Sequence, residues 1–224
     1  MNILAFDTAT SACTVALLAH GEIRERFEIA PQRHAELILP MIDELLKEAG
    51  ISLRQLDAIA VGQGPGSFMG VRIAIGIAQG LAFGADLPVI PISTLQILAQ
   101  TAYQQTHRPD IIAGWDARML AIYWGIYRLG DHQIMRSVQK DALNPPHELK
   151  IPDPFDGLLA GNAWQIYRSS LSLPSSVEIL DIYPHARAII PIAEILYREG
   201  KVQTPLEIEP VYLRNLDLDR RSGH

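Results

Sequence analysis

Short apolar segments separated by polar turns open this chain, and a long helical pattern follows them. Three segments have the residue content of strands: 2–7, 13–19 and 22–30. Apolar residues then recur at helical spacing through residues 34–49, which predicts an amphipathic helix that ends at Gly50. Pro40 within it predicts a kink or a break, because proline lacks a backbone donor and its ring collides with the preceding turn.

A glycine-rich turn follows the next apolar strand. That strand covers residues 56–61, and the sequence from Gly62 to Arg72 reads GQGPGSFMGVR. Ser67 is placed to cap a helix predicted over about residues 67–84. Neither the Gly-Lys-Ser/Thr ending of a P-loop nor the Gly-x-Gly-x-x-Gly dinucleotide fingerprint is present. Two interpretations remain open: N–H groups that bind an anion, or a tight turn that lets strand and helix pack closely.

The helix after this turn carries a glycine at every fourth residue. Gly76, Gly80 and Gly84 lower its helix propensity, so the close approach of another backbone is the expected reason for them. The sequence leaves open whether that backbone belongs to the chain's own sheet or to a partner. A short strand at 87–92 and a helix that begins at Ser93 complete this half.

The second half repeats the order of the first. An apolar strand at 111–116 ends in Asp116, as the opening strand ends in Asp7. The other elements predicted there are strands at about 120–127, 133–138 and 156–161 and helices at about 162–171 and 184–200. Two similar halves predict a duplicated α/β unit with a cleft between its lobes. We place the lobes at residues 1–106 and 107–224, with the last segment able to pack back on the N-terminal lobe.

Composition and charge narrow the classes of protein. The 224 residues are 48% hydrophobic and 20% charged, which is ordinary for a soluble globular protein. A net charge of −6 with scattered Lys and Arg argues against a chain that grips nucleic acid alone. The single cysteine, Cys13, excludes an internal disulfide, and no signal peptide is evident. The longest apolar helix, at 71–85, is interpreted as short of a membrane span. We therefore expect a soluble cytoplasmic protein that inserts in no membrane.

Four motifs in a fixed order carry a resemblance to a known family: residues 3–10 (ILAFDTAT), 61–72, Asp116-Ala117-Arg118 with Tyr123, and 210–214 (PVYLR). The chain resembles the bacterial TsaB (YeaZ) family of tRNA threonylcarbamoyladenosine biosynthesis proteins over nearly its whole length. That family lies within the actin/hexokinase/Hsp70-like superfamily. The resemblance implies an α/β fold of two ribonuclease-H-like lobes in tandem, the actin-like ATPase fold.

The resemblance also implies a role as a non-catalytic subunit. Proteins of this family support a catalytic paralogue, TsaD, together with a small ATPase, TsaE, and tRNA is then met only through the complex. TsaD carries two metal-binding histidines, and the matching positions here are Thr94 and Leu98. Since leucine is no ligand and a threonine hydroxyl is a poor one, no metal is expected in this chain. No catalytic residue is expected either.

A partner-binding surface is implied on the first two helices. Six residues would form it: His34, Leu37, Met41, Met69, Ile73 and Ile77. An apolar patch beyond what the core requires indicates a binding site, and methionine suits an adaptable interface. The resemblance implies that this surface binds TsaD, or a second copy of the chain when TsaD is absent. The alternative is that these side chains are simply core.

A nucleotide site is the other possibility. Asp7, Gly64, Gly66 and Ser67 are the candidates for phosphate contacts, whereas Asp7 on its own can also be a turn carboxylate that accepts local N–H bonds. No cofactor of the chain's own is expected, although ATP or ADP at an interface with the partner remains compatible with the resemblance. The alternative function is therefore an ATP-dependent small-molecule kinase or ATPase that uses the glycine loop and Asp7.

Two departures from the family pattern, and one charged turn, bear on these expectations. Met69 stands where a threonine is usual, which weakens hydroxyl-mediated phosphate contact. Ala121 stands where a glutamate is common, which weakens any role for that carboxylate. Asp116 and Arg118 predict either a salt bridge within a turn or a contact that fixes the angle between the lobes.

Overall fold

The computed structural model describes residues 1–152, 154–174 and 176–214, and its first sheet has five strands. The strands are β1 (Ile3–Asp7), β2 (Ala12–Ala19), β3 (Glu22–Ile29), β4 (Ala58–Gly62) and β5 (Val89–Ile92). Their order is β3-β2-β1-β4-β5, in which β3, β2 and β1 are antiparallel neighbours and β1, β4 and β5 run parallel. Because β1 and β2 are buried on both faces, the centre of this sheet lies inside its lobe, whereas the edge strand β3 is partly exposed.

Besides this sheet, the first half of the chain has three long helices: α1 (His34–Ala49), α2 (Phe68–Ala85) and α3 (Thr94–Thr106). The first two cover one face, where α2 places Val71, Ala74 and Ala78 in the same apolar cluster as the inward residues of β1 and β4. Small alanines let the helix axis come close to the sheet. The carboxyl ends of β1 and β4 and the start of α2 therefore meet at one edge.

The second sheet has six strands, built from the second half of the chain. They are β6 (Asp110–Asp116), β7 (Ile122–Leu129), β8 (Met135–Ser137), β9 (Ala142–Asn144), β10 (Leu158–Ala160) and β11 (Glu178–Leu180). The order is β11-β10-β6-β7-β8, and β9 also pairs with β7. The α3 helix packs on one face of this sheet, and the fully buried Trp164 of the short helix α4 (Ala163–Ile166) packs on the other. Two such sheets with their helices form the predicted two-lobed α/β fold.

The chain then returns to the first lobe. Helix α5 (Ile189–Arg198) packs against β1, β4 and β5 on the face opposite to α1 and α2. Beyond it, Ile208 is buried in the core of the first lobe, and the Val211 amide donates to the Gln63 carbonyl at 2.8 Å. We call residues 207–214 the terminal strap, because they run along the first lobe toward the mouth between the lobes.

Several predicted elements differ from those observed. The helix expected at about 162–171 is one α-turn followed by a 3-10 turn. Strands β9 and β11 were not predicted, because strands of three residues carry little periodicity. The α1 helix continues through Pro40 without a break, and its Pro40 is exposed. The α2 helix has the predicted length of 18 residues and begins one residue later than expected. It is long and apolar enough to cross a membrane by length and composition, although residues 71–85 were interpreted as short of a span, and a third of it is buried in the protein. Since its buried face packs on the sheet, α2 is a core helix of this lobe.

Candidate functional site

The glycine-rich turn between β4 and α2 is a close-packing corner. A Cβ at Gly66 would collide with the Ala9 carbonyl, and one at Gly62 would collide with the Asp7 carboxylate. The Ser67 amide donates to the Ala9 carbonyl at 2.7 Å, so it already has a partner inside the protein. Gly64 has a φ of +92°, which only glycine adopts without strain. These contacts account for the glycines through packing of the turn against the segment after β1.

Asp7 lies beneath this corner and has no exposed surface. Its Oδ1 accepts from the Ala9 amide and its Oδ2 from the Thr94 hydroxyl, both at 2.8 Å. Burial raises the pKa of this carboxyl to about 6, although the two hydrogen bonds oppose the rise. Because both oxygens are engaged and buried, Asp7 offers no atom to a ligand in this conformation. Phosphate binding by Asp7, Gly64, Gly66 and Ser67 therefore stays a prediction that this geometry does not favour.

A cavity of about 1080 Å³ opens between the lobes beside the glycine-rich turn. The first lobe lines it with the turn after β1, the start of α1 and the start of α2, and the second lobe with the turn after β6. The terminal strap contributes Tyr212 and Arg214. We call this cavity the interlobe cleft. It is large enough for a small molecule or for a few units of a polymer.

The turn after β6 has an unusual backbone at the edge of the cleft. Three consecutive residues, Arg118, Met119 and Leu120, have φ between +52° and +59°, and each such residue costs about 1 kcal/mol or more. Asp116 holds this turn: its Oδ1 accepts from the Arg118 amide and from the Tyr167 hydroxyl. The guanidinium of Arg118 pairs with Asp116 Oδ2 at 3.3 Å, so the predicted turn salt bridge is present. Arg214 of the strap also donates to the carbonyls of Ala117 and Arg118.

The predicted partner surface is only partly exposed. Met69 has 62% of its surface exposed, whereas His34 and Met41 are buried with 7% and 8% exposed. Leu37, Ile73 and Ile77 are half-buried and pack on the core of the first lobe. For His34 and Met41 the expectation of an exposed patch is therefore wrong for the single chain, since α1 turns these side chains inward. His34 lines the interlobe cleft instead.

The surface that α2 leaves open follows its glycines. Helical spacing places five residues along one side, which we call the outer face of α2: Met69, Ile73, Gly76, Gly80 and Phe83. Phe83 is 73% exposed, and a Cβ built at Gly76 or Gly80 meets nothing within 4 Å. Gly84 likewise meets nothing within 4 Å, so these three glycines do not serve packing on the chain's own sheet, which was one of the two open interpretations.

Thr94 and Leu98, the two positions that the resemblance matches to metal-binding histidines, are part of the core. Thr94 is 1% exposed and donates to Asp7, and Leu98 is 1% exposed in the cluster beneath the second sheet. In the described part of the chain, no group of three or more His, Cys, Asp or Glu side chains could hold a metal ion.

Four cleft residues were missed as site residues by sequence reasoning: Phe68, Arg72, Tyr212 and Arg214. Arg72 Nε donates to the Tyr212 hydroxyl at 2.8 Å, across 140 residues of chain. The motifs at 61–72 and 210–214 contain all four, and this was the available signal. Sequence spacing gave no reason to bring the two motifs together.

The two lobes, their strand orders and the cleft between them define a protein of the actin-like, ribonuclease-H-like class. A family model described as "TsaD: tRNA N6-adenosine threonylcarbamoyltransferase" matches residues 27–179. The tRNA threonylcarbamoyladenosine biosynthesis protein TsaB of Escherichia coli (strain K12) is 41% identical over 221 residues, covering 96% of this chain and 95% of the relative. The TsaB protein of Haemophilus influenzae is 40% identical over 224 residues, covering 96% and 94%. The solved structure of YeaZ from Pseudomonas aeruginosa superposes with a TM-score of 0.89 at 42% identity, covering 95% of this chain and 99% of that one. The chain belongs to the TsaB (YeaZ) family.

Proposed function

We propose that this chain is a non-catalytic subunit of the complex that forms N6-threonylcarbamoyladenosine in tRNA, in which it binds a TsaD-like catalytic paralogue and a TsaE-like ATPase. The named relatives support the pathway, since the E. coli and H. influenzae proteins carry this biosynthetic role in their names. The proposal includes a cytoplasmic location and contact with tRNA through the complex.

The observation that carries the proposal is the outer face of α2. This helix has a mean hydropathy of 1.5, yet only a third of it is buried in the chain. Exposed apolar surface of this kind marks an interaction site. Open space above Gly76 and Gly80 would let a partner helix come close to the α2 backbone. A second copy of this chain would fit the same face when the paralogue is absent.

The site geometry supports a subunit without chemistry of its own. Asp7 is engaged and buried, and Thr94 and Leu98 belong to the core rather than to a metal site. A subunit of this kind raises the rate by binding the competent state of its paralogue more tightly than other states. The kinase or ATPase alternative is disfavoured by the buried, engaged oxygens of Asp7.

Substitution of Met69 tests the interface. Met69→Glu places a charge on the outer face of α2, and we expect it to weaken binding of the TsaD-like partner at least tenfold, since a buried unpaired charge is unfavourable. Ile166→Glu is the matched control, because Ile166 is also exposed, at 53%, and belongs to α4 on the second sheet. Binding is measured by titration calorimetry of the purified proteins. Equal affinities for the two variants would contradict the proposed interface.

A further inference from the structure

Cationic side chains from separate parts of the chain converge at the mouth of the interlobe cleft. Arg72 comes from α2, Arg118 from the turn after β6 and Arg214 from the terminal strap. The Arg118 side chain is 87% exposed. Among the described residues that line the cleft, the one carboxylate is Asp116, whose side chain is 6% exposed and is paired with Arg118 and Tyr167. The mouth is therefore positive in a chain of net charge −6.

Aromatic rings stand next to these cations. Phe68 and Tyr212 are 40% and 43% exposed, and their ring centroids lie 5.3 Å apart. The guanidinium carbon of Arg72 lies 3.7 Å from the Phe68 ring centroid. Trp115 and Tyr123 line the same cleft from the second lobe. Exposed rings beside arginines suit a ligand that has both planar bases and phosphates.

The lining also contains a buried polar atom without a partner. His34 is 7% exposed, and its Nε2 has no hydrogen-bond partner among the described residues. Burial lowers the pKa of this imidazole, against contributions from the Thr10 and Ala12 backbone, so the neutral form is favoured. A buried nitrogen without a partner is unfavourable. A polar ligand atom that reached this part of the cleft would satisfy it.

The same cleft is poorly arranged for a free nucleoside triphosphate. A triphosphate with its magnesium ion needs an available carboxylate and free backbone amides near the phosphates. Asp7 has both oxygens engaged inside the core, and the Ser67 amide donates to Ala9. Arg118 lies at the mouth with its side chain almost fully exposed, and Arg72 is directed at the Tyr212 hydroxyl of the terminal strap. This placement favours a polymer that crosses the mouth with its phosphates outside.

We propose that the mouth of the interlobe cleft binds a short unpaired stretch of RNA, with phosphates on Arg72 and Arg118 and a base against the Phe68–Tyr212 pair. The inference rests on the proposed function, which supplies an RNA as the substrate of the complex. The cavity of about 1080 Å³ is at the upper end of ligand-pocket volumes, so it has room for more than a single base. Unpaired nucleotides are preferred, because their bases are free to stack on side chains.

Direct binding tests the proposal on the full chain. Anisotropy of a fluorescent single-stranded RNA heptamer is titrated with protein at two salt concentrations. Arg118→Gln is expected to weaken binding about threefold to tenfold and to lower the salt slope by about one. Arg54→Gln is the matched control, because Arg54 is exposed and lies outside the cleft, and it should leave the affinity unchanged. Tyr212→Leu should weaken binding at least fivefold, whereas Tyr212→Phe keeps the ring and should bind like the natural chain.

Four outcomes would overturn the proposal. The first is the absence of heptamer binding at about 100 µM protein, where even non-specific RNA complexes form. The second is an equal loss of affinity in the Arg118→Gln and Arg54→Gln variants, and the third is an equal affinity of the chain for duplex RNA. The fourth is displacement of the heptamer by magnesium-ATP or by an acidic peptide at a lower concentration than unlabelled heptamer requires. Thermal unfolding of each variant confirms that the fold is retained.

The reconstituted modification reaction separates this inference from the proposed function. If the chain is required and Arg118→Gln raises the KM for tRNA at unchanged partner affinity, both stand. If the chain is required but Arg118→Gln changes neither the KM nor heptamer binding, the RNA site is refuted and the proposed function stands. If the reaction proceeds equally well without the chain, the proposed function fails, whatever the heptamer result.

Discussion

Replacement of Asp7 by asparagine changes one buried charge in the core of the first lobe. The asparagine side chain keeps an oxygen to accept from the Ala9 amide, and its amide group can donate to the Thr94 hydroxyl, which then acts as acceptor. The shape of the side chain is retained beside Gly62, where there is no room for a larger group. The variant therefore removes the ionisation and little else.

The expected effect follows from the pKa of Asp7. Burial raises this pKa from 3.8 to about 6, so the folded chain holds the proton more tightly than the unfolded chain. The stabilisation is complete below the unfolded pKa and is lost as the pH rises through the folded one. The full loss amounts to roughly 3 kcal/mol, of which about 1.4 kcal/mol falls between pH 5 and pH 8. The Asp7→Asn side chain has no proton to lose, so its share of stability stays constant.

Urea unfolding followed by tryptophan fluorescence measures this difference. The free energy of unfolding of the natural chain is compared with that of Asp7→Asn at pH 5 and at pH 8. We expect the advantage of the variant to grow by about 1.4 kcal/mol from the lower to the higher pH. Parallel pH dependences for the two chains would refute the account of Asp7 as a desolvated structural carboxylate.

Three further predictions concern residues of the first lobe. Gly66→Ala should destabilise the chain by at least about 2 kcal/mol, because the added Cβ collides with the Ala9 backbone. Gly76→Ala places its Cβ in open space and should stabilise α2 by up to about 1 kcal/mol. Urea unfolding of both variants tests the contrast. Cys13 should resist alkylation by iodoacetamide until the chain unfolds, because burial raises its thiol pKa to about 12, and rapid labelling of the native chain would contradict this. Glu25→Gln should destabilise the chain by roughly 1–3 kcal/mol at pH 7 and by less at acid pH. Burial of Glu25 opposes its ionisation, but hydrogen bonds from His185 and the Arg187 amide outweigh burial and lower the Glu25 pKa. The stabilisation by the Glu25 carboxylate is therefore lost as the pH falls through this pKa. An unchanged difference across pH would be inconsistent with this account.

Much of the first lobe could be predicted from sequence, because its elements are long and carry strong local signals. The α1 bounds agree with the helical pattern at 34–49, and Gly50 ends the helix in the left-handed conformation, as expected. Ser67 and Ser93 cap α2 and α3 with their side chains. These are local features, and they need no knowledge of the rest of the chain.

The second lobe and the cleft were less predictable, because they depend on contacts between distant segments. Strands such as β9 and β11 have three residues and are held by their neighbours in the sheet. The meeting of Arg72 with Tyr212 depends on the path of the terminal strap, which no periodicity encodes. The expected exposure of His34 and Met41 failed for the same reason, since a wide apolar arc does not reveal which of its edges faces the core.

Threonylcarbamoyl incorporation into tRNA by the reconstituted bacterial proteins, with this chain present or omitted, tests the central claim most directly. The account predicts that omission abolishes incorporation while the pure chain alone turns over neither ATP nor tRNA. Equal incorporation without the chain would contradict the proposed subunit role, and ATP turnover by the pure chain that Asp7→Asn abolishes would establish the enzyme alternative instead.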